Sequence, residues 1–137
     1  MIIANKGYQE MEYSIPRKIF EDAGFEVVVA AKQKGNATGH MGAITLIDLA
    51  FNQVDVSEFD AITFIGGPGA VTYVEDIEAH MIARDAIEEK KVLGAICIAP
   101  LILAHAGVLK GKKATVWNTD GKPETRLTSL GVNYINE

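Results

Sequence analysis

The sequence has a single cysteine, Cys97, so it can form no internal disulfide and no thiolate-rich zinc site by itself. Basic residues are in the minority. Thirteen Lys and Arg face eighteen Asp and Glu, a net charge of −5. That argues against a nucleic-acid footprint, which needs a basic face, and against an anionic membrane surface. Long hydrophobic runs are missing too. The longest, Ala95 to Ala104 and Phe25 to Ala31, fall far short of the ~20 residues of a membrane span. The first residues, Met1-Ile2-Ile3-Ala4-Asn5-Lys6, carry neither the basic start nor the long apolar stretch of a signal peptide, and the expected location is cytoplasmic. Only three histidines occur, none in a pair with metal-ligand spacing, so no metal is expected.

What is present is ordinary for a globular domain: 48% hydrophobic and 23% charged residues over 137 positions. These values exclude disordered and collagen-like classes and predict one domain with a real core. Apolar runs alternate with helical patterns. Strands are expected at the end of Ile2–Ala4, at 25–31, at 43–49, at 59–65, at 92–96, at 113–117 and at 132–135. The polar, glycine-bearing stretch 32–42 reads as a loop or hairpin.

A helix is expected from about Glu12, with Ile15, Ile19, Phe20 and Ala23 on its buried face, Pro16 in its first turn and Gly24 as its stop. A second runs over 76–90, with Ile77, Met81, Ile82, Ala86 and Ile87 as its stripe. Shorter ones cover 99–106 and 124–130. This alternation predicts right-handed βαβ units in a parallel sheet covered on both faces. Ligands then bind beyond the carboxyl ends of the strands. Three segments should meet there: the loop after Ala4, the Gly66-Gly67-Pro68-Gly69 loop, and the turn at Cys97.

Cys97 lies where the buried strand 92–96 turns directly into an apolar helix. A nucleophile on such a turn stands exposed above the sheet on a strained backbone, and the dipole of the following helix favours its thiolate. Free cysteine is also a common buried small hydrophobe, and the residue type alone does not choose. Glu12 and Glu10 both stand at the loop-to-helix junction after the first strand, where a carboxylate suits either the helix dipole or acid–base chemistry. The glycines 66, 67 and 69 match neither the phosphate-loop nor the dinucleotide pattern; they fit a tight turn whose backbone approaches a substrate oxygen. Trp117 fits a pocket wall or the core equally well. His40 reads as a solvated loop residue, His80 as surface, and His105 as a cap near a helix end.

Three motifs carry a resemblance. Tyr8-Gln9-Glu10-Met11-Glu12-Tyr13-Ser14-Ile15-Pro16, Phe64-Ile65-Gly66-Gly67, and Gly94-Ala95-Ile96-Cys97-Ile98-Ala99-Pro100 followed by Leu103-Ala104 resemble, in this order, the ThiJ/PfpI superfamily, which includes the parkinsonism-linked deglycase. The resemblance runs from Ile2 to Ile135. It implies a flavodoxin-like three-layer α/β/α sandwich with a mostly parallel sheet and a nucleophile elbow, usually dimeric. It implies Cys97 as nucleophile, Glu12 as its protonated carboxyl partner, and the backbone N–H groups of Gly67 and Ile98 as an oxyanion site, with Gly66 and Trp117 at the pocket. No cofactor is implied.

Two departures from the pattern weigh against proteolysis. The histidine that follows the cysteine in family proteases is replaced by Ile98, and the acidic residue that completes their triad falls on Val71. The position of a further family histidine is taken by Trp117. The expectation is therefore a cysteine-dependent glyoxalase or deglycase acting on methylglyoxal-like aldehydes or glycated substrates. A redox sensor or chaperone with an oxidisable Cys97, and an intracellular peptidase or amidase, are the alternatives. Residues 1–137 are expected to be one ThiJ/PfpI-like domain lacking part of the first strand and the C-terminal helix.

Overall fold

A computed structural model describes residues 1–136. Its centre is a parallel array. Ile2 bridges to Ala30 on one side and to Phe64 on the other. Outside Ala30, strand β2 (Ala30–Ala31) pairs with β5 (Leu49–Ala50), and outside Phe64, β6 (Ala61–Phe64) pairs with β7 (Val92–Ala95). In chain order the segments at 2, 30, 62 and 93 therefore lie side by side as second, first, third and fourth. That is the flavodoxin-like order, whose ligand crevice opens at the carboxyl ends of the first and third segments. Cover on both faces explains the apolar central segments; β7, expected to be buried, is an exception, with Val92 70% exposed. Val29, Ile3, Phe64 and Ile65 are fully buried, as are Ile102 and Leu127 from the helices.

Beside the array, β1 (Lys6–Tyr8) pairs parallel with β3 (Gly35–Gly39), which pairs antiparallel with β4 (Ile44–Ile47). The polar stretch 32–42 thus includes one strand of a hairpin. The buried Tyr8 ring anchors it, through a hydroxyl bond to Thr45 Oγ1 at 2.7 Å. A last parallel pair joins β8 (Lys113–Ala114) to β9 (Asn133–Tyr134). Four helices complete the fold: α1 (Glu10–Asp22), α2 (Ile77–Glu88), α3 (Pro100–His105) and α4 (Lys122–Ser129). None is long and apolar enough to cross a membrane.

Two expectations about helices are corrected. Helix α1 begins at Glu10, two residues early, because Gln9 caps it with a side-chain bond to Met11 N–H. Pro16 consequently sits in the second turn rather than the first. Its missing N–H deprives the Glu12 carbonyl of its helical partner. The expected buried face of α1 is mostly outside: Ile15 and Ile19 are 51% and 60% exposed, and Tyr13 is the residue that packs inward. In α2 the stripe is shifted. Ile77, Met81 and Ile87 face out, while the small residues Ala79, Ala83 and Ala86 join Ile82 against the sheet. Alanines allow the helix to approach closely, so the larger side chains flanking them are left on the rim.

Candidate active site

Three loops meet at the crevice. The first follows the N-terminal strand segment and becomes the first turn of α1. The second is the glycine loop after β6. The third is the elbow after β7. Their meeting depends on close backbone approach. Gln9 N–H donates to Gly66 O at 3.0 Å. A Cβ on Gly67 would lie 2.5 Å from both Gln9 N and Gly7 O, and one on Gly69 would overlap the Lys6 carbonyl. The first two loops are thus seamed backbone to backbone, which only glycine permits. Gly69 lies in the loop the sequence singled out; Gly7 does not, and a glycine in the loop facing it was the available signal.

Cys97 adopts φ +63°. For a residue with a side chain this left-handed backbone is strained, and it is the conformation of a strand-to-helix elbow. The Trp117 N–H holds the strained peptide by donating to the Cys97 carbonyl at 2.8 Å. The thiol is partly exposed. Glu12 reaches it from α1, and the backbone N–H groups of Gly67 and Ile98 face the sulfur. Glu12 Oε2 also accepts the Gly66 N–H at 2.9 Å. Gly66 separates the two side chains. A Cβ there would lie 2.6 Å from both Glu12 Oε2 and the Cys97 Cβ.

The thiol's acidity differs from the expectation. Burial is the largest influence and pushes the Cys97 pKa above the usual thiol value. The Glu12 carboxylate pushes it further, and the Gly67 and Ile98 N–H groups pull it back only in part. The dipole anticipated from the following helix is weak because α3 has six residues and begins three positions beyond the sulfur. The thiol therefore holds its proton more firmly than a free cysteine does.

The other candidates lie elsewhere. The Ile98 side chain is buried, only 8% exposed, and Val71 is half exposed. Trp117 is 54% exposed and so is not a core residue; its backbone meets the elbow at the Cys97 carbonyl. His40 sits on the hairpin turn near Glu10. His80 bonds the Val74 carbonyl. His105 does not cap carbonyls; its Nε2 meets Arg126 at 3.2 Å. Glu10, the alternative to Glu12, turns away from the sulfur and accepts the N–H groups of Met41 and Ala43. Among the described residues no three His, Cys, Asp or Glu side chains converge as metal ligands would.

Fold and crevice together define an α/β sandwich with a cysteine at a nucleophile elbow and a carboxyl group beside it. The chain belongs to the DJ-1/PfpI family, whose model matches residues 1–137. It is 37% identical over 115 residues to the deglycase TK1284 of Thermococcus kodakarensis, covering 84% of this chain and 69% of the relative. Among solved structures it is similar to a ThiJ/PfpI domain protein from Brachyspira murdochii, with TM-score 0.93, 31% identity, and coverage of 99% of this chain and 77% of that one. It is also similar to Drosophila melanogaster DJ-1beta, with TM-score 0.84, 29% identity, and coverage of 99% and 72%.

Proposed function

We propose that this protein is a Cys97-dependent enzyme of the glyoxalase or deglycase type, acting on small α-oxoaldehydes or on their adducts with protein. The observation that carries the reading is the convergence on one sulfur of a carboxylate, Glu12, and two backbone donors, Gly67 and Ile98. Glu12 takes the thiol proton as the sulfur bonds to the aldehyde carbon. The carbonyl oxygen becomes an oxyanion held by the two N–H groups, then takes the proton from Glu12 to complete a hemithioacetal. Glu12 next removes the proton from the former aldehyde carbon to give an enediolate and returns it to the neighbouring carbon, while the hydroxyl proton of the adduct passes to the neighbouring oxygen; the product is a thioester. Water cleaves that thioester, releasing a 2-hydroxy acid and restoring the thiol. The sum is aldehyde plus water, with no external oxidant or cofactor.

The same features support an aldehyde over a peptide. Expelling an amine needs a good general acid, and the neighbour of Cys97 is the buried, neutral Ile98. A thiol pushed up in pKa is also a slow target for oxidants, which follow thiolate character, so a redox sensor fits less well. We further read the protein as cytoplasmic and as a homodimer; the exposed apolar face of α1 supports the association. The deciding experiment is methylglyoxal turnover by wild type and Cys97→Ser. Lactate from the first and none from the second is expected. No aldehyde consumption by a folded wild type would overturn the reading.

A further inference from the structure

Glu10 and Glu12 are two positions apart on α1. At 3.6 residues per turn they leave the helix on nearly opposite sides. Glu12 reaches Gly66 and Cys97. Glu10 reaches the hairpin turn between β3 and β4: its Oε1 accepts Met41 N–H at 2.7 Å and Ala43 N–H at 3.3 Å. The same turn is tied to the end of β1, where His40 N–H donates to the Tyr8 carbonyl at 2.8 Å. Gly39 leaves the room; a Cβ there would overlap the Glu10 carboxyl.

The first turn of α1 needs an outside hold more than most. N–H groups at a helix start have no partners within the helix. Here Pro16 also removes the bond that would tie the second turn back to Glu12. The Gln9 cap fixes one N–H. Glu10 fixes the side of the turn away from the thiol, and does so with its other carboxyl oxygen buried and unpartnered.

We propose that Glu10 is a positioning residue: by clasping the Met41–Ala43 backbone it sets the rotation of the first turn of α1, and so aims the Glu12 carboxyl at Gly66 N–H and Cys97. The significance of that aim rests on Glu12 being the acid–base partner of the thiol, but the contact with Gly66 reports it independently.

The test follows the Gly66 amide by NMR of the ¹⁵N-labelled protein, with iodoacetamide labelling of Cys97 against pH as a second readout. Three variants are compared with wild type: Glu10→Ala, which removes the clasp; Glu10→Gln, which keeps an acceptor oxygen; and Gly39→Ala, which displaces the Glu10 carboxyl by contact. The expected result is that Glu10→Ala and Gly39→Ala shift the Gly66 amide proton upfield and speed its exchange at least half as much as Glu12→Gln does. Glu10→Gln should stay near wild type. The alkylation midpoint should move in the same order. A residue that merely anchored the hairpin would move the Met41 and Ala43 amides and leave Gly66 in place. That pattern overturns the proposal. So does unfolding of both Glu10→Ala and Gly39→Ala, because a clasp of this kind is removable without loss of the core. Loss of aldehyde turnover in every sample, wild type included, bears on the proposed activity and not on this result.

Discussion

The Glu12 carboxylate accepts the Gly66 N–H at 2.9 Å, a contact between residues 54 positions apart. It joins the helix after the first strand segment to the loop after the third, and it places the acid beside the elbow cysteine. Both the Glu12 carboxyl and the Gly66-Gly67 backbone are held by this one seam. Changes in the seam should consequently disturb chemistry before they disturb the core.

Gly66→Ala is the sharpest such change. The added methyl would lie 2.6 Å from both Glu12 Oε2 and the Cys97 Cβ, so one of them must move. Overpacking of this sort costs about 1–3 kcal/mol. Urea denaturation should show a loss in that range, with a retained cooperative transition and abolished aldehyde turnover. Wild-type turnover in this variant would mean that the Cys97–Glu12 geometry is not what the reaction uses.

The acidity of Cys97 gives a pH prediction. Burial and the Glu12 carboxylate both disfavour the thiolate. Alkylation of the wild type should therefore have its midpoint above the ~8.5 of a free thiol. Glu12→Gln removes a negative charge, which favours the thiolate, so the midpoint should fall. Turnover should fall as well, because the base is gone. A wild-type midpoint below that of a free thiol would contradict the dominance of burial and the Glu12 charge.

Asp76 offers a stability test away from the site. Its carboxylate caps α2 through Ala79 N–H at 3.0 Å and pairs with Lys32 at 2.6 Å. Burial opposes its ionisation, but the Lys32 ammonium and the capped N–H groups outweigh it and hold the pKa below the usual carboxylate value. A depressed acid stabilises the fold fully above its unfolded pKa of ~3.9 and loses that contribution as pH falls through the folded value. Asp76→Ala should cost about 0.5–2 kcal/mol at pH 7. The difference from wild type should shrink at the most acid pH where both still fold. A difference that stays constant with pH would assign the effect to something other than the charge.

The exposed face of α1 predicts association. Met11, Ile15 and Ile19 are each more than half exposed, an apolar stripe on an otherwise polar helix. Light scattering should give twice the 14.8 kDa of the chain, and Ile19→Glu should return it to the monomer mass without lowering the monomer's own stability. A wild type that remains monomeric at micromolar concentration contradicts the dimer.

Peptide cleavage provides the last check. With Ile98 in place of a base, general acid–base help worth about 10²–10⁴-fold is missing for amine expulsion. A fluorogenic peptide series should show essentially no turnover in a sample that consumes methylglyoxal. Peptide hydrolysis that vanishes in Cys97→Ala, without aldehyde consumption, would put the peptidase reading first.

The alternation of strands and helices, the glycine loop and the elbow at Cys97 were legible in the sequence because each is a local property; the sheet order came only with the family resemblance. A buried strand is a short apolar run, a tight turn needs glycine, and a nucleophile elbow is a residue between a strand and a helix. The motifs around Glu12, Gly66 and Cys97 also sufficed to name the family. The sequence did not reveal which apolar residues lie inside. Ile15, Ile19, Ile77 and Met81 have helical spacing, yet they are exposed, because the sheet meets α1 at Tyr13 and α2 along its alanines. The sequence left 32–42 as loop or hairpin, because the residues of Gly35–Gly39 have little strand preference; pairing with β1 and β4 makes them a strand. The directions in which the two glutamates point are decided only in three dimensions. Glu10 and Glu12 are chemically identical and stand in the same helical turn. What separates them is the direction each leaves the axis: one toward the hairpin amides, the other toward Gly66 and the thiol. The direction of the Cys97 pKa shift was likewise tertiary. The dipole of the next helix was visible in the sequence, but burial and a carboxylate from a distant helix outweigh it.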